Sequence, residues 1–162
     1  MPAGVNFAYN GPGTPLTATL SGTPAAGTGG AYPITLTAAN GILPNATQNF
    51  TLTVNETPVI TSTATLVCTV GTACSKTITA TGFPVPAIAR TGATLPSGMS
   101  YVDNGNGTGT LSGTPTLASG AVNTYAMTFT PSNGVGSPVG QAFTLTVNKA
   151  NQTLAFTSTA PS

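Results

Sequence analysis

Few side chains in this sequence can do chemistry. Five carry a formal charge: Glu56, Lys76, Arg90, Asp103 and Lys149. Cys68 and Cys74 are the two thiols, and histidine and tryptophan are missing. Ser-His-Asp and Cys-His nucleophile systems need an imidazole, as do most zinc sites, so these classes are excluded. Glu56 and Asp103 are the two acids and the one conceivable glycosidase pair. One falls where two sequence units join and the other in a hairpin, so no such pairing is expected. Asp103, Asn104 and Asn106, within Asp103-Asn-Gly-Asn-Gly107, could offer oxygens to calcium. Calcium takes about six to eight oxygens and usually several carboxylates, whereas Asn-Gly steps suit a plain hairpin turn, and the turn is the expectation. A redox role for the thiols needs CxxC-like spacing or a basic neighbour, for which Lys76 is the candidate. A net charge of +1 provides no footprint for nucleic acid and no polybasic membrane patch. The expectation is a structural or binding module, with no catalysis, cofactor or metal.

The elements that would carry these residues are legible from period-two patterning. Phe50-Thr-Leu52-Thr-Val54 and Phe143-Thr-Leu145-Thr-Val147 alternate apolar residue and threonine, as do Tyr32-Pro-Ile34-Thr-Leu36 and Tyr125-Ala-Met127-Thr-Phe129. Such alternation puts the apolar side chains on one face of a half-buried strand. Threonine, about a fifth of the chain, is β-branched and suits the outer face. Glycine and proline make up another fifth, which would suit disorder, but 40% hydrophobic residues in a regular pattern argue for a packed core. No segment has helical spacing or the length of a transmembrane helix, so the chain is expected to be all-β.

The pattern repeats. A shift of about 93 residues carries Tyr32, Asn40-Gly41, Gln48, Phe50 and Val54 onto Tyr125, Asn133-Gly134, Gln141, Phe143 and Val147. Leu20-Ser-Gly-Thr-Pro24 matches Leu111-Ser-Gly-Thr-Pro115, and Pro2-Ala-Gly4 matches Pro96-Ser-Gly98. The unit is the size of one small β-sandwich. Residues 1–55 correspond to its C-terminal half, 56–148 to a complete unit, and 149–162 to a linker and opening strand of a third. Met1 reads as an arbitrary start, with no signal-peptide pattern behind it. An ordered half-sandwich would expose sheet edges and an apolar face, so its missing strands are expected to be replaced. A neighbouring copy's residues 149–162 could supply one of them by strand exchange, in a dimer or filament.

Gly82-Phe-Pro84-Val-Pro86, Leu95-Pro96-Ser-Gly98, Asp103-Asn-Gly-Asn-Gly107, Leu111-Ser-Gly-Thr-Pro115, Asn133-Gly134 and Phe143-Thr-Leu145-Thr-Val147 together resemble the bacterial He_PIG immunoglobulin-like repeats. These are related to dystroglycan-type cadherin-like domains. The resemblance implies immunoglobulin-like β-sandwiches arrayed in tandem in secreted or surface-attached proteins, serving as spacers or adhesion modules. Its partners would be neighbouring repeats, with no membrane insertion.

In an exported protein, Cys68 and Cys74 would form a disulfide closing the turn between the first two strands of the complete unit. Free thiols on adjacent strands are the alternative, and the pair departs from the family's usual pattern. Asn-x-Thr sequons occur at Asn45, Asn49, Asn55, Asn106 and Asn151, as chance allows in a threonine-rich chain. Thr-x-Thr triplets on a unit of this length do not make the short-period array of an ice-binding face. Most aromatic residues fall at inward positions, while Tyr9 and Phe83, in Gly/Pro-rich contexts, are least committed to a core. The favoured function is a non-catalytic stalk or spacer of an extracellular adhesin-like protein. The alternative is a carbohydrate- or protein-binding module that uses its end loops.

Overall fold

The computed structural model describes residues 1–12, 16–117 and 123–151. Among the described residues, twelve strands occur in this order: β1 (Val5–Tyr9), β2 (Ala18–Gly22), β3 (Gly30–Ala38), β4 (Ala46–Val54), β5 (Glu56–Ile60), β6 (Thr65–Thr69), β7 (Cys74–Phe83), β8 (Ala87–Gly92), β9 (Met99–Asp103), β10 (Thr108–Gly113), β11 (Thr124–Ser132) and β12 (Gln141–Asn148). The described residues contain no helix, and the chain is all-β.

Strands β5–β12 form two four-stranded sheets, ordered β5-β7-β10-β9 and β6-β12-β11-β8. All pairings are antiparallel except β6 with β12, which run parallel from Thr144↔Thr65 to Asn148↔Thr69. Two sheets with these Greek-key connections are an immunoglobulin-like sandwich. The core between them holds Ile60, Cys68, Ile78, Ile88, Leu111, Met127, Phe129, Phe143, Leu145 and Val147. Each of the two Thr-spaced runs of this unit delivers every second residue to it. Phe129 stands edge-on to Phe143 at 5.1 Å and tilted against Tyr101 at 5.0 Å, the offset geometries that aromatic quadrupoles favour.

The opening of this unit differs from the sequence expectation. Cys68 and Cys74 lie not between the first two strands but between the second and third. The chain leaves β5 in one sheet and crosses through residues 61–64 to add β6 to the other. Parallel pairing with β12 satisfies one edge of β6, and its alternate residues Leu66 and Cys68, followed by Val70, face the core.

Residues 1–55 form two antiparallel hairpins, β1-β2 and β3-β4. Their details match β9-β10 and β11-β12. Asn10 N–H donates to Thr17 O (3.1 Å), and its Nδ2 to Thr17 Oγ1 (2.9 Å) and Thr19 Oγ1 (3.0 Å). Asn104 makes the same set to Thr108 and Thr110, at 2.9, 2.9 and 3.1 Å. The glycine of each Leu-Ser-Gly-Thr-Pro motif has positive φ, 132° at Gly22 and 145° at Gly113. A Cβ there would stand 2.1 Å from Gly4 O or 2.0 Å from Gly98 O, so only glycine fits where these strands leave the ladder.

Burial separates the two hairpin sets. Phe143 is 1% exposed, whereas Phe50, at the same place in the first unit, is 43% exposed. Phe7 is 49% and Tyr9 61% exposed. The inward expectation for Phe50 therefore fails: alternation chooses a face, but burial requires an opposing layer.

Candidate functional site: the junction around Glu56

One residue, Asn55, separates β4 from β5. Next to it, the Glu56 carboxylate reaches back to the turn before β3. Oε1 accepts from Gly27 N–H at 2.5 Å and Oε2 from Gly29 N–H at 3.2 Å. Charge-assisted bonds of this kind are about twice as strong as neutral ones. The backbone of Glu56 is tied the other way. Asn133 Nδ2 donates to Glu56 O and to Pro84 O, both at 2.8 Å, while Asn133 Oδ1 accepts from Val135 N–H at 3.0 Å. Glu56 thus holds the first unit by its side chain and the second by its main chain.

Gly29 makes this approach possible. A Cβ on it would lie 2.7 Å from Glu56 Cβ and 2.8 Å from Phe83 Cβ. Phe83 is half-buried at this contact, so it is no open aromatic platform. A hollow of about 440 Å³ adjoins the junction, lined by Pro24, Ala25, Gly29, Val54, Glu56 and Val135. Its one charged group already accepts two backbone bonds. The sequence reading weighed Glu56 only as an acid and a linker residue, and missed this clasp. The repeat of Asn40 as Asn133 was the available signal.

The other singled-out residues fall elsewhere. Asp103 ends β9, and its Oδ2 accepts from Ile88 N–H at 3.2 Å and its Oδ1 from Gly105 N–H at 3.3 Å. Asn106 Oδ1 accepts from Thr108 N–H (3.2 Å) and Thr108 Oγ1 (2.6 Å). With Asn104 Nδ2 clipped to two threonines, both Asp103 oxygens and Asn106 Oδ1 accept hydrogen bonds at or beside this turn. Glu56 and Asp103 share no hydrogen-bond partner. Among the described residues, no three His, Cys, Asp or Glu side chains gather as a metal group would require. Cys68 and Cys74 are joined by a disulfide, with Cα atoms 5.9 Å apart. Lys76 Nζ donates to Thr63 Oγ1 at 2.5 Å. All five sequon asparagines are exposed. The opening strand expected after Asn151 lies outside the described residues.

Tyr101 links the two sheets, its hydroxyl donating to Ile88 O at 2.9 Å. Burial, then the nearby Asp103 charge, push its pKa up from 10.0 to about 12. A folded-state pKa above the unfolded one means that the native chain holds the proton more tightly. The resulting stability is complete below about pH 10 and is lost as the pH rises through about 12. Thermal melts across that window should show a falling midpoint, and Tyr101→Phe should remove that part of the fall. Identical pH profiles for the two chains would contradict the assignment.

No family model matches the chain, and no curated protein matches it. Solved structures do. A tandem pair of titin immunoglobulin domains aligns over 93% of this chain and 76% of its own, with 16% identity and a TM-score of 0.53. A chimeric titin Z1Z2 carrying a decorin peptide aligns over 60% of this chain and 99% of its own, with 17% identity and a TM-score of 0.47. The N-terminal Ig1-2 module of the Drosophila receptor protein tyrosine phosphatase DLAR covers 61% of this chain and 53% of its own, at 24% identity and a TM-score of 0.46. The titin tandem pair carries the fold, which is immunoglobulin-like.

Proposed function

We propose that the chain is a non-catalytic spacer segment of an extracellular, adhesin-like surface protein, built from tandem units of about 93 residues of the He_PIG kind. The observation that carries this reading is the Glu56 clasp. A flexible linker lets neighbouring domains swivel, but here one residue separates the strands and both sides of the junction are bonded to Glu56. Such a joint sets direction, which is what a stalk needs in order to project a distal element. The carboxylates are occupied with backbone N–H groups, in keeping with a role without catalysis or cofactor. The partners in this reading are neighbouring repeats. Exchange of residues 149–162 between copies would add one strand to residues 1–55 and support a dimer or filament.

Spin labels on Thr37 and Thr146, one per unit, test the joint by electron–electron distance measurement. The expected distribution is narrow, and Glu56→Ala should broaden it by removing two hydrogen bonds that together contribute on the order of 1 kcal/mol at a partly exposed site. A distribution already as broad in the unaltered chain as in the variant would defeat the spacer reading.

A further inference from the structure

Five Asn-Gly steps stand in the chain, at Asn10, Asn40, Asn104, Asn106 and Asn133. In such a step the next main-chain nitrogen can reach the side-chain amide carbon, because glycine has no Cβ in the way. Whether it attacks depends on what holds the amide. Asn10, Asn104 and Asn133 each donate two Nδ2 bonds, to threonine hydroxyls or to main-chain carbonyls. Those bonds fix the amide and tie up its leaving nitrogen. Asn40 and Asn106 are bonded through Oδ1 alone among the described residues.

Asn106 differs from Asn40 in its donors. Asn40 Oδ1 accepts from Ile42 N–H at 3.0 Å. Asn106 Oδ1 accepts from Thr108 N–H at 3.2 Å and from the Thr108 hydroxyl at 2.6 Å. That hydroxyl in turn accepts from Asn104 Nδ2 at 2.9 Å, so its own proton is directed onto Asn106 Oδ1. Two donors on one carbonyl oxygen are the arrangement that stabilises an oxyanion. The ring closed by Thr108 N–H and Asn106 Oδ1 contains both the amide carbon and Gly107 N. Gly107 is buried and anchored, its carbonyl accepting from Ala80 N–H at 2.8 Å, while Asn106 is exposed. In the first unit Asn10 keeps the clip onto its threonines, but Pro12 takes the place of Asn106. The clip therefore forms without this amide.

We propose that Asn106 is a site of self-modification, at which the chain converts its own side-chain amide into an aspartyl or isoaspartyl linkage. Gly107 N, losing its proton to solvent, bonds to the Asn106 amide carbon, and the two Thr108 donors hold the oxyanion on Oδ1. The bond from that carbon to Nδ2 then breaks. The nitrogen takes a proton from water and leaves as ammonia, and a five-membered succinimide remains. Water adds to either ring carbonyl and opens the ring to aspartate or isoaspartate. The net change is hydrolysis of one amide by water, with no oxidant or reductant. The product carries a carboxylate where a neutral amide stood, in the same turn as Asp103. Its isoaspartyl form also adds one carbon to the main chain ahead of Gly107, whose carbonyl ties the turn to Ala80 on β7.

The test incubates the full chain in mildly alkaline buffer, follows ammonia release, and locates converted sites by peptide mapping and isoaspartyl methylation. Asn106 should convert about tenfold faster than Asn104 or Asn133. In denaturant these three sites should react at similar rates, since glycine follows each. Thr108→Val should slow Asn106 by about tenfold in the folded chain and leave Asn40 unchanged. Thr108→Ser, which keeps the hydroxyl, should hold Asn106 near its original rate. Amide resonances of β9 and β10 establish that both variants are folded. Equal native rates at Asn106, Asn104 and Asn133 would overturn the inference. So would the same ranking in denaturant, or a folded Thr108→Val chain that converts Asn106 as fast as the unaltered one.

Discussion

Phe143→Ala should destabilise the second unit by about 3–5 kcal/mol, the usual cost of emptying a phenylalanine site in a packed core. Phe50→Ala, the same change at the same place in the first unit, should cost about 1 kcal/mol or less, as surface truncations do. The two residues share chemistry, strand position and Thr neighbours, and differ in what lies opposite. Phe143 meets Phe129 edge-on at 5.1 Å inside a closed core, and its removal leaves a cavity the sheets cannot collapse into. Phe50 is 43% exposed and has less burial to lose. Denaturant unfolding followed by resolved amide signals from each unit reads the two costs separately. Equal costs would mean that the first unit is covered in solution.

That contrast marks how far the sequence could be read. The strands of Tyr125–Phe129 and Phe143–Val147 were visible because alternation is local, and the turn at 103–107 because Asn-Gly chemistry is local. The clip of Asn10 and Asn104 onto their threonines follows from the same local spacing. Exposure of Phe7 and Phe50 was not visible in their own segments, which look like those of the buried copies. It depends on a layer contributed from elsewhere in a chain. The move of β6 into the opposite sheet was not legible, because the alternation of Leu66, Cys68 and Val70 selects the core face but not which of the two sheets the strand joins. Glu56 was hardest to read. Its partners are the backbone N–H groups of Gly27 and Gly29, and a backbone donor has no residue-type signal beyond the glycine that lets it come close. A carboxylate in a chain with only two acids draws the eye as an acid, whereas at this junction both of its oxygens accept backbone N–H groups.

Removing the Cys68–Cys74 bond should cost about 2 kcal/mol from loop entropy alone, because so short a loop restricts the unfolded chain only modestly. The structure adds a second contribution. Cys68 is buried in the core beside Val147, its partner in the parallel ladder, while Cys74 opens β7 in the other sheet. The bond therefore pins the crossing strand β6 to the sheet it has just left. The intervening turn is anchored independently, through Val70 N–H to Asn148 O at 2.9 Å and Gly71 N–H to Pro115 O at 3.0 Å. Because those bonds survive reduction, the reduced chain should keep its fold with a lower melting temperature. Cys68→Ser with Cys74→Ser should cost more than reduction, since a hydroxyl at position 68 would enter an apolar core without a partner. Cys68→Ala with Cys74→Ala should fall between the two. Thermal melts with and without reductant, with free thiols counted by alkylation and intact mass, check the order. Equal melting temperatures for the oxidised and fully reduced chains would show that the turn's backbone bonds hold β6 by themselves.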